Sequence, residues 1–468
     1  MKFNGLMIDC SRLIEQHEHY FELLDFMAEC GMNVLILHFT DDFGCAVELP
    51  GFEELAMPNA FSTAETRALI AKARPLGIDI IPEIELFGHT RYLTDIPRYA
   101  HLGTAKEDGQ LSLNALNPFN PESLALAEKL IGAVALVFDS EYIHIGCDEV
   151  GLGDLAERRG VASDAAWADY VNQLIGIVHG IGKTPMIWAD HLATSDFILN
   201  ALRHDVVLLD WRYFPEGALG TDAFDAGRLR SAGFKRIILC PALAMYHRRW
   251  LPNQDALRNV DTCARLAEEN RLDGLISTIW IPFRFIRDTM YYGIAYAATA
   301  TRGDLRGFRA DFAARAFGSE LTPELDRFLE LWPELAIDNL ISQKLYAGRL
   351  DFDETENRAL ARIREIAPGL IAFGRGNVPP RRQEVWRAMV LAAEAVGATA
   401  NYHLGLLHGW DDARRQTCLE ELCRLHDELS REWDRTRFPD DPQKNRPRFQ
   451  GWDEQYNLVF IAGLKARL

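Results

Sequence analysis

The residues best suited to chemistry are Asp148 and Glu149, two adjacent carboxylates that follow a short apolar run. Residues 142–150 read YIHIGCDEV, a pattern typical of a buried strand. Because side chains alternate along a strand, His144, Gly146 and Asp148 are expected on the inward face. Glu149 reaches the same pocket only if the strand ends near Gly146 and the chain turns. Such a pair suits general acid–base work, whereas an isolated Asp-Glu dipeptide more often caps a helix.

Eight apolar runs of this kind alternate with longer amphipathic segments over the first 281 residues. This alternation predicts repeated βα units and a parallel sheet, and eight strands favour a closed barrel over an open sheet. Polar and aromatic residues cluster just after the strands, where a barrel brings all strand ends to one mouth. The predicted strands span residues 3–10, 33–39, 78–85, 142–146, 184–188, 206–211, 236–239 and 274–280.

Beyond about Thr301 the composition changes to long stretches rich in Ala, Leu, Glu and Arg at helical spacing. Helices are predicted over residues 354–366, 382–396 and 417–436. The fold class is therefore α/β: a (β/α)8 TIM barrel over residues 1–305, followed by an α-helical C-terminal domain over residues 306–468. A homodimer is possible.

Composition excludes several classes of protein. The chain has 468 residues, of which 48% are hydrophobic and 25% charged, as in soluble globular proteins. Its net charge of -18 is spread along the chain and argues against nucleic acid as a partner. The first residues do not resemble a secretory leader and no apolar run reaches bilayer length, so we expect a cytoplasmic protein without a membrane partner. The eight cysteines contain no Cys-x-x-Cys pair, which favours reduced thiols over zinc.

Four strand ends together resemble glycoside hydrolase family 20, the β-N-acetylhexosaminidases. The family signature is a His-x-Gly-Gly-Asp-Glu strand end, and residues 144–149 read HIGCDE. Residues 5–12, GLMIDCSR, and 33–42, NVLILHFTDD, look like the first and second strands. Residues 82–89, PEIELFGH, match the third strand in a Phe-Gly-His form that is more similar to the hexosaminidase D-like branch. The resemblance spans residues 3 to about 285.

This resemblance implies an exo-acting, retaining enzyme that removes terminal N-acetylglucosamine or N-acetylgalactosamine from an oligosaccharide or glycoconjugate. Glu149 would be the general acid/base, and Asp148 would orient and polarise the 2-acetamido group. The acetamido oxygen then attacks the anomeric carbon to give an oxazolinium intermediate. Asp41 and His89 would form a pair that supports the acid, while His38, His144 and Asp42 form a structural hydrogen-bonding layer. No cofactor and no metal is implied.

Aromatic residues complete the resemblance. Trp188, Trp211 and Trp280 each follow an apolar strand and match the family's tryptophan box, which would hold the acetamido methyl and the sugar face. The alternative is that these rings fill the barrel, the commoner fate of Trp. Tyr246 is a further candidate for substrate binding, because the family's Tyr-x-Asp after strand seven is replaced here by residues 240–242, CPA.

Two positions depart from the family pattern. Asn4 stands where the family has an Arg that holds the sugar 3- and 4-hydroxyls, and Pro282 stands near the usual hydroxyl-binding Glu. The reaction class is thus better defined than the sugar.

Two other functions fit parts of the same pattern. One is a metal-dependent barrel hydrolase, and the other is a barrel that binds glycans without cleaving them. An intact Asp-Glu pair argues against the second, because a pure binder needs no general acid. The potential metal ligands of the first are His38, Asp41, His89, His144, Asp148 and Glu149.

Overall fold

The computed structural model describes residues 1–105, 111–213, 224–244, 249–303, 305–449 and 451–468. The chain divides into two compact units. The first comprises Met1–Ala242 and Asp261–Thr278, and the second comprises Leu243–Val260 and Ile279–Leu468. A domain boundary at residues 305–306 stays a prediction.

Eight parallel strands form a closed barrel, as the sequence predicts. Each strand pairs with the next along the chain, and the eighth pairs back with the first. The strands are β1 (Phe3–Asp9), β2 (Val34–His38), β3 (Asp79–Glu83), β4 (Tyr142–His144), β5 (Thr184–Trp188), β6 (Val207–Trp211), β7 (Arg236–Cys240) and β8 (Gly274–Ile279). Their predicted bounds differ from these by two residues at most, because apolar side chains cover both faces of each strand.

Helices follow the strands and cover the outside of the sheet. Those after β1 to β7 include His17–Cys30, Thr63–Ala73, Pro121–Val137, Ser163–Gly180, Asp196–Ala201, Ala226–Ser231 and Gln254–Glu269. The start of Thr63–Ala73 is fixed by a capping box, in which Ser62 accepts from the Glu65 N–H and the Glu65 carboxylate accepts from the Ser62 N–H. Two small sheets, Thr40–Asp41 with Gly44–Val47 and Ala56–Phe61, and Gly103–Ala105 with Leu111–Leu116, lie outside the barrel order.

The second unit is helical over most of its described length. Its helices are Met290–Ala300, Phe308–Phe312, Pro323–Leu331, Asn339–Ala347, Glu354–Gly376, Gln383–His408, Asp412–Thr436 and Asn457–Lys465. The three longest cover the helices predicted from the sequence, except that the second begins at Gln383, one residue later than predicted, and they pack against one another in chain order. All eight cysteines fall within the described residues and are free thiols. Among the described helices, none combines the length and apolar character needed to cross a bilayer.

Candidate functional site

The turn after β4 separates the two adjacent carboxylates into different environments. The strand ends at His144, and Gly146, Cys147 and Glu149 then adopt left-handed backbone angles, with φ of 64°, 77° and 48°. The chain therefore turns where the sequence analysis requires it to. As a result Asp148 is buried, with 7% of its surface exposed, while 59% of the Glu149 side chain is exposed.

His89 joins the two carboxylates to a second pair on the loop after β2. Its Nε2 lies 3.2 Å from Glu149 Oε2 and 3.9 Å from Asp148 Oδ2. Its Nδ1 lies 3.4 Å from Asp42 Oδ2 and 3.6 Å from Asp41 Oδ2. The structure thus brings His89 to Asp41 as predicted, and it places Asp42, expected in the structural layer, slightly closer.

The Asp41 oxygen nearest to His89, Oδ2, is also contacted by two cationic groups. An Arg12 guanidinium nitrogen donates to Asp41 Oδ2 at 2.7 Å, and the other terminal nitrogen donates to Asp9 at 2.8 Å. His38 Nε2 lies 3.3 Å from the same Asp41 oxygen. These charges hold the pKa of the buried Asp41 carboxyl well below its usual range despite the opposing effect of burial.

Beneath the turn lies a buried layer centred on Glu83, a residue that the sequence analysis did not single out. Trp188 donates its indole N–H to Glu83 Oε1 at 2.6 Å, and His38 Nδ1 and His144 Nδ1 lie 3.1 and 3.6 Å from that oxygen. The predicted layer of His38 and His144 is therefore built around a carboxylate. A signal was available, since Glu83 and Glu85 are two residues apart and share one face of a strand.

Glu85 supports the turn directly. The Cys147 N–H donates to Glu85 Oε2 at 3.3 Å, and the Glu85 N–H donates to Thr40 Oγ1 at 2.7 Å. Glu85 is fully buried, and burial together with the nearby Asp148 raises its pKa well above the usual value. Burial thus favours the neutral form of the Glu85 carboxyl group, which accepts a hydrogen bond from the turn that carries the two candidate catalytic residues.

Burial and charge give Asp148 and Glu149 different proton affinities. Burial raises the pKa of Asp148 to about 7, opposed by the His89 cation and assisted by Asp190 and Glu149. The hydrogen bond from His89 lowers the pKa of Glu149. Burial disfavours the charged His89 ring, but the negative charges of Asp41 and Asp148 outweigh it and raise the His89 pKa. Of the two adjacent carboxyl groups, Asp148 therefore has the higher proton affinity.

Three groups of side chains place potential metal ligands within 4.8 Å of one another: His38, Glu83 and Glu85; Asp41, Asp42 and His89; and His89, Asp148 and Glu149. A histidine can bind a metal ion only through a ring nitrogen that carries no proton. The raised pKa of both His38 and His89 favours their protonated forms, which donate hydrogen bonds to carboxylates instead. A metal ion at any of the three groups would therefore have to displace a proton from a histidine.

Comparison with known families agrees with this geometry. The family model described as glycosyl hydrolase family 20, catalytic domain, matches residues 1–247, which is more than half of the chain. The chain belongs to glycosyl hydrolase family 20. It is 29% identical over 180 residues to a β-hexosaminidase of Vibrio furnissii, covering 32% of this chain and 29% of the relative. It is 26% identical over 206 residues to human β-hexosaminidase subunit beta, covering 40% and 37%.

The chain thus spans well under half the length of these curated relatives. Solved structures share the fold of this family 20 protein. An exo-β-N-acetylglucosaminidase from Vibrio harveyi superposes with a TM-score of 0.52 at 22% identity, covering 66% of this chain and 56% of that one. A β-N-acetylhexosaminidase from Bacteroides fragilis gives a TM-score of 0.54 at 18% identity, covering 67% and 69%.

The three tryptophans predicted for substrate binding occupy different environments. Trp188 is fully buried and tilted against His144, with ring centroids 4.5 Å apart, which is the position of a barrel-filling side chain. Trp211 is half-buried beside Tyr213. Trp280, in the second unit, is 8% exposed. Tyr246 lies outside the described residues, and ligand contacts of the three tryptophans stay predictions.

Asn4 does not stand in for the family's sugar-binding Arg. Its side chain donates to the carbonyl oxygen of Gly31, which precedes β2, and its N–H donates to Asn33. These contacts lie at the end of the barrel where the strands begin, away from the turn after β4.

Gly146 is the position of the family 20 turn where a side chain fits least. A Cβ atom there would lie 2.0 Å from Glu85 Oε2, in a backbone conformation that L-residues avoid. We expect Gly146→Ala to destabilise the protein by roughly 3 kcal/mol, because strain and overpacking add. Thermal and urea denaturation would measure the loss.

Gly132→Ala is the matched control for Gly146→Ala. Gly132 lies within the helix Pro121–Val137, and an added Cβ has no neighbour within 4 Å. Alanine should stabilise this helix by up to about 1 kcal/mol, since glycine loses more backbone entropy on folding. Equal stability of the two variants would show that the turn does not require glycine.

Proposed function

We propose that the protein is an exo-acting, retaining β-N-acetylhexosaminidase that removes terminal N-acetylglucosamine or N-acetylgalactosamine by substrate-assisted catalysis. The observation that carries the proposal is the turn after β4, where buried Asp148 and accessible Glu149 both face His89. Oδ1 of Asp148 is buried and has no hydrogen-bond partner among the described residues. It is free to accept the N–H of an acetamido group. Relatives named β-hexosaminidase support the same reaction.

The two carboxylates have different roles in the proposed reaction. Asp148 accepts the acetamido N–H and so directs the acetamido oxygen at the anomeric carbon, which replaces an external encounter with an intramolecular one. As that oxygen forms its bond to the anomeric carbon, the glycosidic bond breaks and the leaving oxygen takes the proton of Glu149. Water then attacks the anomeric carbon of the oxazolinium intermediate, and Glu149 takes back a proton.

The proposed reaction needs ionised Asp148 and protonated Glu149, the reverse of their relative proton affinities, so substrate binding must change these affinities. A hydrogen bond from the acetamido N–H stabilises ionised Asp148, while a sugar that covers Glu149 removes water and raises the pKa of Glu149. Both effects favour the ionised form of Asp148 and the protonated form of Glu149. The Glu149 side chain is 59% exposed, so a bound sugar can cover it and raise its pKa.

The test is hydrolysis of nitrophenyl glycosides of β-N-acetylglucosamine and β-N-acetylgalactosamine, beside β-glucoside and β-galactoside, after exhaustive EDTA treatment. We expect cleavage of an acetamido sugar only, inhibition by a thiazoline that mimics the oxazolinium intermediate, and activity that survives EDTA. Loss of activity with EDTA would favour the metal-dependent hydrolase. Thiazoline binding without cleavage of any glycoside would favour the non-catalytic glycan-binding barrel.

The pH dependence tests the role of His89. The cationic ring lowers the pKa of both Asp148 and Glu149, so removing it should raise both. In His89→Asn we expect both limbs of the kcat/KM profile to move to higher pH, together with a lower maximum. Initial rates on the nitrophenyl substrate across the pH range would measure the shift.

His101→Asn provides the control, because His101 is exposed and pairs with Glu122 on the surface. Its profile should overlay that of the unaltered protein. A shift of the His89→Asn profile toward lower pH would contradict the charge argument.

A cytoplasmic location, membership of the hexosaminidase D-like branch and a homodimer stay predictions from the sequence.

A further inference from the structure

The backbone of Glu149 and Val150 is held by two side chains that follow β5. The Glu149 N–H donates to Asp190 Oδ2 at 3.0 Å, and the Val150 N–H donates to His191 Nε2 at 3.1 Å. Both acceptors are 41 residues away in sequence. The backbone around Glu149, the candidate general acid, is thus held by side chains that follow β5 and not by its own loop alone.

The backbone conformation of Glu149 requires support from surrounding contacts. Glu149 has a φ of 48°, a left-handed conformation that costs a non-glycine residue about 1–2 kcal/mol. Strained residues of this kind persist only where the surrounding contacts determine them. Asp190 is half-buried, and its second oxygen, Oδ1, is buried and has no hydrogen-bond partner in the described chain. Asp190 Oδ2 thus accepts the Glu149 N–H, and His191 Nε2 lies 3.7 Å from the same oxygen.

His191 supports the same turn from a fixed ring. Because Nε2 accepts the Val150 N–H, the proton of the neutral ring lies on Nδ1. The ring is tilted against Trp167, with centroids 4.9 Å apart, which limits its rotation.

We propose that Asp190 is a positioning residue for catalysis, which holds the Glu149 backbone so that the carboxyl group reaches the glycosidic oxygen, with His191 as its partner. The inference rests on the proposed function. It predicts a loss that depends on the leaving group, because a displaced acid impairs only those substrates that need a proton to depart.

The experiment compares Asp190→Ala and Asp190→Asn on two N-acetylhexosaminides, one with an alkyl leaving group and one with a 2,4-dinitrophenyl group. We expect Asp190→Ala to lose roughly 10- to 100-fold in kcat/KM on the alkyl glycoside and under threefold on the dinitrophenyl glycoside. Asp190→Asn keeps an acceptor oxygen and should lose less than Asp190→Ala on the alkyl glycoside. Asp196→Ala, which removes a carboxylate whose side chain is 87% exposed beside the same strand end, should show no such dependence.

Either of two results with Asp190→Ala would overturn the inference while the proposed function stands. One is an equal loss on both substrates in Asp190→Ala, and the other is no loss on either, in each case with the unaltered protein active and Glu149→Gln sensitive to the leaving group. If instead the unaltered protein cleaves neither substrate, the proposed function itself has failed. Thermal denaturation of Asp190→Asn shows whether this variant is folded. If it is folded and loses as much kcat/KM on the alkyl glycoside as Asp190→Ala, the role of the hydrogen bond is contradicted.

Discussion

Replacing Asp148 by Asn is expected to reduce kcat/KM by roughly 10²- to 10³-fold on every N-acetylhexosaminide, whatever its leaving group. The buried carboxylate is the group placed to face positive charge that develops on the acetamido nitrogen, and an amide of the same shape cannot balance it. The loss should fall on the formation of the oxazolinium ring, which all substrates share. Initial rates on the alkyl and dinitrophenyl glycosides would measure it.

Asp139→Asn controls for the loss of one negative charge. Asp139 precedes β4, and its side chain is 58% exposed beside Arg74. Unchanged kinetics are expected. If Asp148→Asn kept most of its activity with the dinitrophenyl glycoside, the acetamido group would not be the nucleophile and the mechanism would need an enzyme nucleophile.

Replacing Glu149 by Gln is expected to reduce kcat/KM roughly 10²- to 10⁴-fold on an alkyl glycoside or an N-acetylhexosamine disaccharide. These leaving groups depart only with a proton, which Gln cannot supply. The dinitrophenyl glycoside should keep much of its kcat/KM, because its leaving group is stable as an anion. The measurement is the dependence of kcat/KM on the pKa of the leaving group, which should become steeper in the variant.

Glu141→Gln is the matched control, since Glu141 is an exposed carboxylate just before β4. It should retain the leaving-group dependence of the unaltered protein. Equal losses on both kinds of substrate in Glu149→Gln would contradict Glu149 as the acid and leave it a structural role in the turn.

The sequence determined the barrel and pointed to Asp148 and Glu149 as the candidate catalytic pair. Strand β5 was predicted with the bounds that the structure shows, Thr184–Trp188, because a buried strand consists of consecutive apolar residues. The Asp148–Glu149 pair and His89 were found from motifs at strand ends, where a barrel brings side chains to one mouth. Tryptophans were also found by position, but position alone could not separate the fully buried Trp188 from the half-buried Trp211.

Only the tertiary structure decided how the carboxylates differ. The left-handed turn buries Asp148 and exposes Glu149, although the two are neighbours in sequence. Their proton affinities then follow from burial and from charges that are distant along the chain, above all that of His89. Asp190 escaped the sequence analysis because an isolated acidic residue carries no local sign of its partner, whereas Glu83 and Glu85 carry a two-residue spacing but no sign of the groups they contact. Trp188 and Glu83, for example, are joined across 105 residues. Electrostatic coupling depends on distance and solvent exclusion, and both are set by folding and not by sequence order.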